Sequence, residues 1–368
     1  MYQHTSDRKK RRKKKKLLSW ALVLLMVTVA VLAVVFLIKP QAEPGIEFRQ
    51  LNAKKGDTLY AMPQGMLILS GDTLTYYDEE EEPFFETKLP DSQGVKLCAS
   101  DAFIVAYKSS QIQVLSIKGE VLFSKEPGNI QMVRADQNNV GVLCAMPDGT
   151  DVLRVYDVSG EEVGVLEYKQ KVMDFGFTYG NMLWVLELDT TGVMLSSRIT
   201  TYKGGGNSIN GVIHIDAQVV ENIFFSTQSI YTVGTSHMIG SNYVGEKTND
   251  ALIHGWELQD ANIQKEDPAV FLLAPRGEGV GTQIHTAARV EILGQKPHTV
   301  QLPPDCIRLK ITENGFYAFT PKKLYAYNLS CELTGEMPLP FEPEWMQEGA
   351  ENSLYVGQGV DVYEWILK

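Results

Sequence analysis

Between Leu17 and Ile38 the chain runs 22 residues without a charge, and its only polar members there are Ser19 and Thr28. A helix rises about 1.5 Å per residue, so this stretch is long enough to cross the hydrocarbon core of a bilayer. A helix packed in a soluble core rarely runs so far without a polar face. The pattern therefore predicts a transmembrane helix over 17–38. After residue 45 the pattern changes. Helical periodicity almost disappears, and short runs such as AFIVAY, NMLWVLEL, GFYAFT and SLYVGQ are cut by Gly, Asn and Asp, as strands joined by tight turns would be.

The strand pattern repeats. QVLSIKGEVLF from Gln113, RVYDVSGEEVGVL from Arg154 and IGSNYVGEK from Ile239 each read as a strand followed by a Gly-Glu turn. The turn glycines Gly119, Gly160 and Gly245 place a missing repeat near residue 203, where YKGGGN supplies it. RVEILGQK extends the ladder to Gly294, and LYAYNLSCELTGE carries it to Cys331, a cysteine in the glycine slot. TLTYYDEEEE begins the series near Glu81, and DVYEWILK ends it at the C-terminus.

Eight hairpins spaced by about one four-stranded blade predict an all-β fold, a β-propeller of eight blades, with seven as the alternative. The chain stops after the third strand of the last blade. GIEFRQLN, Gly45 to Asn52, has no other partner and is expected to supply the missing outer strand, closing the ring and removing an exposed edge.

Charge then separates the two ends. Residues 1–16 carry nine Lys/Arg against Asp7, a net of +8, and the remainder carries −19 of the total −11. A cleaved signal peptide has a shorter apolar region and a small-residue cleavage site. Here the apolar block runs into Lys39, Pro40, Gln41, Ala42, Glu43 and Pro44, so an uncleaved anchor is expected. Basic residues stay on the cytoplasmic side, which sends the C-terminal part out of the cell. The organisation is a basic cytoplasmic tail (1–16), a membrane helix (17–38), a stalk (39–45) and a propeller ectodomain (46–368). The acidic body argues against a nucleic-acid partner and favours basic or neutral ones.

The hairpins of the type VYDVSGEEVGVLEY, behind a basic N-terminus and one membrane helix, resemble an uncharacterised domain-of-unknown-function family of bacterial single-pass membrane proteins. More distantly the repeats are similar to quinoprotein-like propellers. The first resemblance implies location and fold and brings no catalytic residues. The second is weakened because the slots where quinoprotein repeats end in Gly-x-x-x-Trp read GEVLF, GEEVGVL and GEK.

Motif by motif, chemistry is sparse. RGEGVG at Arg276 is followed by no helix pattern, which a phosphate loop requires. YKGGGNSING falls on a repeat turn. The run Asp78 to Glu82 reads as a solvated turn, since neighbouring strand residues face opposite ways and no calcium-loop pattern is present. The histidines and cysteines lack metal-ligand spacing, so no metal or cofactor is expected. Cys98 and Cys144 read as small buried thiols in adjacent blades, although the even count of four outside the membrane permits disulfides. Cys331, on a turn, is expected to be exposed and the more reactive.

Propellers usually bind at one mouth of the axis. Aligning the expected inner strands VKLCASD, IQMVRAD, VMDFGFT, VENIFFS and IRLKITE sets Lys96, Gln131, Asp174, Glu221 and Arg308 near their starts as candidate channel-mouth binding residues. The plainer reading is that they satisfy backbone groups and one another around a wet axis. The function expected from all this is a membrane-anchored extracellular binding or scaffold module, not an enzyme, whose ligand is an unknown protein or cell-envelope component. The alternatives are a quinoprotein-like cofactor-binding enzyme and a sensor that signals through a partner.

Overall fold

The computed structural model describes residues 45–368, apart from 63–64, 79–81, 90–92, 179–181, 207, 264–267, 278–283 and 351. The basic tail, the expected membrane helix and all but the last residue of the expected stalk lie outside the described residues. Among the described residues no helix is long and apolar enough to cross a membrane.

The alternating runs fold into eight four-stranded antiparallel sheets, each a propeller blade. Blades 1 to 7 span 58–88, 96–125, 129–168, 171–215, 220–252, 256–301 and 308–338, with strand order in each following the chain from the inside outward. Blade 8 takes Trp345–Glu348, Ser353–Gln358 and Asp361–Leu367 from the C-terminus and its outer strand, Ile46–Lys54, from the start of the described residues. The two ends of that sheet pair Ile46 with Leu367 and Arg49 with Glu364, and the Lys368 N–H donates to the Gly45 carbonyl at 3.1 Å. The ring thus has eight blades and is closed by the segment the sequence left without a partner, which runs two residues past Asn52.

Because a sheet buries both faces when it stands between two others, the core is a ring of separate interfaces. Blade 2 meets blade 3 through Val105, Val114, Phe123, Val133, Val142 and Cys144, all buried. Blade 8 meets blade 1 through Leu51, Ala53, Leu59, Ile68, Tyr355 and Val362. Burying a side chain of this size contributes roughly 1.5–3 kcal/mol, so each interface draws most of its strength from a few residues.

The repeated turn has a physical reason for its sequence. Ser116, Asp157, Asn242 and Asn328 each open a turn, and the side chain accepts the backbone N–H four residues on, at 3.3, 2.9, 2.9 and 2.9 Å. The residue three after the opener takes a left-handed conformation, φ +80° at Gly160. This is a type I turn with a bulge, which matches the twist of a hairpin. The same slot touches the blade before it: a Cβ added to Gly160 would lie 2.7 Å from the Phe123 ring of blade 2. Glycine is required there by conformation and by contact.

Cys331 fills this slot in blade 7 with φ +63° and is 8% exposed, in a cluster with Val290 and Val300 of blade 6. The expectation that it is exposed and reactive is therefore corrected. The turn is where the repeat placed it, but the slot faces the neighbouring blade, and burial pushes the thiol up. Cys98, Cys144 and Cys306 are also buried and free, so no disulfide forms. The glycines 204–206 connect the third and fourth strands of blade 4, as the repeat spacing implied.

Candidate functional site

The innermost strand of each blade has one edge that pairs with its neighbour and one that faces the axis, where no strand covers its N–H and C=O groups. Such groups need partners, and polar side chains on the inner strands or just past their ends supply several. The Tyr60 hydroxyl donates to the Ala99 carbonyl at 3.4 Å, Ser100 Oγ to Asp136 O at 2.7 Å and Gln347 Nε2 to Leu59 O at 3.2 Å. Each of these bonds joins one blade to the next.

Four consecutive inner strands also carry a bulge, seen as a register shift after Ile130, Val172, Val220 and Leu258 in blades 3 to 6. A bulge re-aims the side chains beside it. Gln131 and Glu221 are themselves the extra residues, and Asp174 directly follows one. Asp260 holds the position of Asp174 two blades on, and both carboxylates accept the N–H of their own next residue, at 2.8 and 2.9 Å.

All five residues singled out from the sequence lie on the inner strands of blades 2, 3, 4, 5 and 7. They do not form one cluster. Gln131 Nε2 donates to the buried carboxylate of Asp151 at 2.7 Å, which also accepts the Val172 N–H at 3.0 Å and pairs with Lys171 at 3.1 Å. Asp174 pairs with Arg134 of blade 3 at 3.0 Å. Glu221 accepts both arms of Arg276, at 2.9 and 2.7 Å. Lys96 is exposed and has no ion pair among the described residues.

The densest group lies on blades 6 to 8. Arg308 pairs with Glu348 of blade 8, and Lys310 lies between Glu348 at 2.6 Å and Asp260 at 3.2 Å. Lys310 is 7% exposed, and a lysine that buried is normally paired, as here. Burial pushes the Asp260 carboxyl up, opposed by the Lys310 ammonium and the Ile311 N–H, which donates to it at 2.9 Å. Lys96 and Arg308 begin their strands and so stand at the mouth where the chain comes into each blade; Glu348 ends its strand, toward the other mouth.

The sequence reading missed Arg134, Asp151, Lys171, Asp260, Lys310 and Glu348. Lys310 was within reach, two residues from Arg308 on an alternating strand. Asp260 and Glu348 lie in WELQDAN and WMQE, the inner strands of blades 6 and 8, which the alignment left out. Arg134 was hidden by the bulge at Gln131, which breaks the alternation. Among the described residues no three His, Cys, Asp or Glu side chains converge as a metal site. What the axis offers is hydrogen-bond donors and acceptors of both charge signs, most already engaged across blades.

No family model matches the chain, and no curated protein matches it. Solved structures do. A crystal structure of the eukaryotic initiation factor is 9% identical over 84% of this chain and 83% of its own, with a TM-score of 0.55. The structure of Kluyveromyces lactis Hsv2p is 9% identical, covers 79% of this chain and 100% of its own, and has a TM-score of 0.50. Citrobacter koseri AztD is 10% identical over 82% of this chain and 88% of its own, at a TM-score of 0.48. At such identities the first two likenesses are likenesses of fold, and the chain itself is an eight-bladed β-propeller.

Proposed function

We propose that the chain is a single-pass membrane protein, of the bacterial kind its sequence resembles, whose extracellular propeller is a non-catalytic binding or scaffold module for a protein or cell-envelope ligand. The apolar block of 22 residues with its basic flank supports the anchor and the outward direction of the propeller. The observation that carries the binding role is the axial mouth. Inner strands from different blades bring Lys96, Gln131, Glu221 and Arg308 toward it, with Lys96 exposed and the others tied across blades, Gln131 by accepting from Lys171, Glu221 by Arg276 and Arg308 by Glu348, so the surface offered to a ligand is polar and held in place. Held side chains lose less entropy on binding than free ones.

The test is photo-crosslinking in intact cells. A crosslinking residue at Lys96 is expected to capture a defined partner that the same residue at Lys203, on blade 4 away from the axis, does not. Capture of the same proteins from both positions, or of none from Lys96, rejects the axial mouth. Protease added outside intact cells should remove the propeller and leave the N-terminus protected; a propeller that survives such treatment but is digested after lysis rejects the orientation.

A further inference from the structure

A cleft of about 360 Å³ opens at the closure seam, between blade 8 and blade 1. Its volume falls in the range of about 300–1,000 Å³ that holds small molecules. Arg49, Glu364 and Tyr355 form the blade 8 wall, Met66 and Asp78 the blade 1 wall, and Ser353 lies at one end.

The cleft exists because of a substitution of chemistry within the repeat. At the interface of blades 2 and 3 the cross-strand rung is Val105, Val114 and Phe123, and the phenyl ring ends against the next blade's turn. In blade 8 the rung is Tyr355, Glu364 and Arg49. Arg49 stands where an aromatic ring fills the other interface, and it lies back on Glu364, its Nε at 2.8 Å and its Nη2 at 2.6 Å from Oε2. Among the described residues the space a ring would occupy is left open and lined by charge.

Two carboxylates and one guanidinium leave this lining net negative. Ser353 is 4% exposed, and its hydroxyl has no hydrogen-bond partner among the described residues. A buried polar group in that state is costly unless something satisfies it. An ammonium has three donors, and Asp78, Glu364 and Ser353 place three acceptors on the same cleft. Met66, Ile366 and Leu367 give it an apolar side.

We infer that this cleft is a binding site for a small organic cation, a primary ammonium carried on a short apolar chain. A ligand there touches both strands of the ladder that closes the ring, at Arg49 and at Glu364, so binding stabilises closure by mass action. The inference is independent of the axial mouth and stands or falls without it.

Pentylamine, 5-aminopentanoate and pentanoate form a matched series in which the chain is constant and the charge changes. With the full-length protein in nonionic detergent, pentylamine is expected to bind saturably by calorimetry and to raise the melting temperature, 5-aminopentanoate to bind more weakly and pentanoate not at all. Asp78→Asn should weaken pentylamine about tenfold, the loss of one charge-assisted contact. That variant keeps the turn, because Asn242 and Asn328 occupy the same turn position in blades 5 and 7. Ser353→Ala should weaken binding several-fold while leaving the melting temperature of the free protein unchanged or raised. Absence of saturable pentylamine binding, tighter binding of either carboxylate, or an unchanged affinity in Asp78→Asn overturns the assignment.

Discussion

Where blade 2 faces blade 3, the rung Val105, Val114 and Phe123 is apolar across three strands and the Phe123 ring is covered by the Gly160 turn. Where blade 8 faces blade 1, the rung is Tyr355, Glu364 and Arg49, and a cleft stands beside it. The first interface joins blades that are continuous in the chain. The second also joins blades that follow one another in the chain, through residues 55–57, but blade 8 is itself completed by pairing the two ends of the propeller, and beside the buried Leu51, Ala53, Leu59 and Ile68 that pairing relies on a strand ladder and an ion pair. Packing against a covalent neighbour needs little directional chemistry. Recruiting a distant strand in one register does, because a slip of one residue would turn Leu51 and Ala53 outward, and the Arg49 to Glu364 pair penalises that slip.

The largest effect that would break this comparison is removal of the closing strand. A chain beginning at Lys54 loses the burial of Leu51 and Ala53 and exposes the edge of Asp361–Leu367, and should be less stable than one beginning at Lys39 by on the order of 5 kcal/mol or more. Urea unfolding of the two measures it; equal midpoints would refute closure by this strand. On the dry side, Gly160→Ala forces a side chain into a left-handed conformation and against Phe123, and should cost about 3 kcal/mol. A change below a few tenths would mean that the turn does not dock blade 3 on blade 2.

On the wet side, Arg49→Met leaves the Glu364 carboxylate buried without its cation. Arg49 is itself about a third exposed, so the cost is set below that of a fully buried pair, at about 2 kcal/mol. A more stable variant would show that the pair contributes register alone. The smallest effect concerns the thiols of the dry interfaces. Burial pushes Cys306, between blades 6 and 7, up to about 12. The folded state therefore holds this proton more tightly than the unfolded state. The stability it contributes is complete below the unfolded thiol value, about 8.5, and is lost as pH rises toward the folded one. Cys306→Ala should flatten the decline of the urea midpoint between those pH values, and an identical decline in both proteins would show that the thiol is not linked to folding.

Much of the fold was legible in the sequence because it repeats. Gly119, Gly160 and Gly245 mark turns that only a left-handed residue completes, and their spacing gave the blade count. GIEFRQLN was legible as the closing strand because a ring that ends one strand short must borrow one. The candidate site was legible only in part. Lys96, Gln131, Asp174, Glu221 and Arg308 do lie on inner strands, since the repeat spacing locates the first strand of each blade whether or not alternation holds inside it. Their partners were not legible, because a bulge in each of four inner strands shifts the parity that alternation relies on.

By itself the sequence determined the strands and the number of blades, both of which follow from local periodicity and turn chemistry. The tertiary structure alone decided which face each turn presents to its neighbour, and with it the burial of Cys331. It also decided that Arg49 meets Glu364, 315 residues away, and leaves a cleft at the seam. Those outcomes depend on which residue of one blade stands opposite which residue of the next, and the distance between them in the chain carries no trace of it.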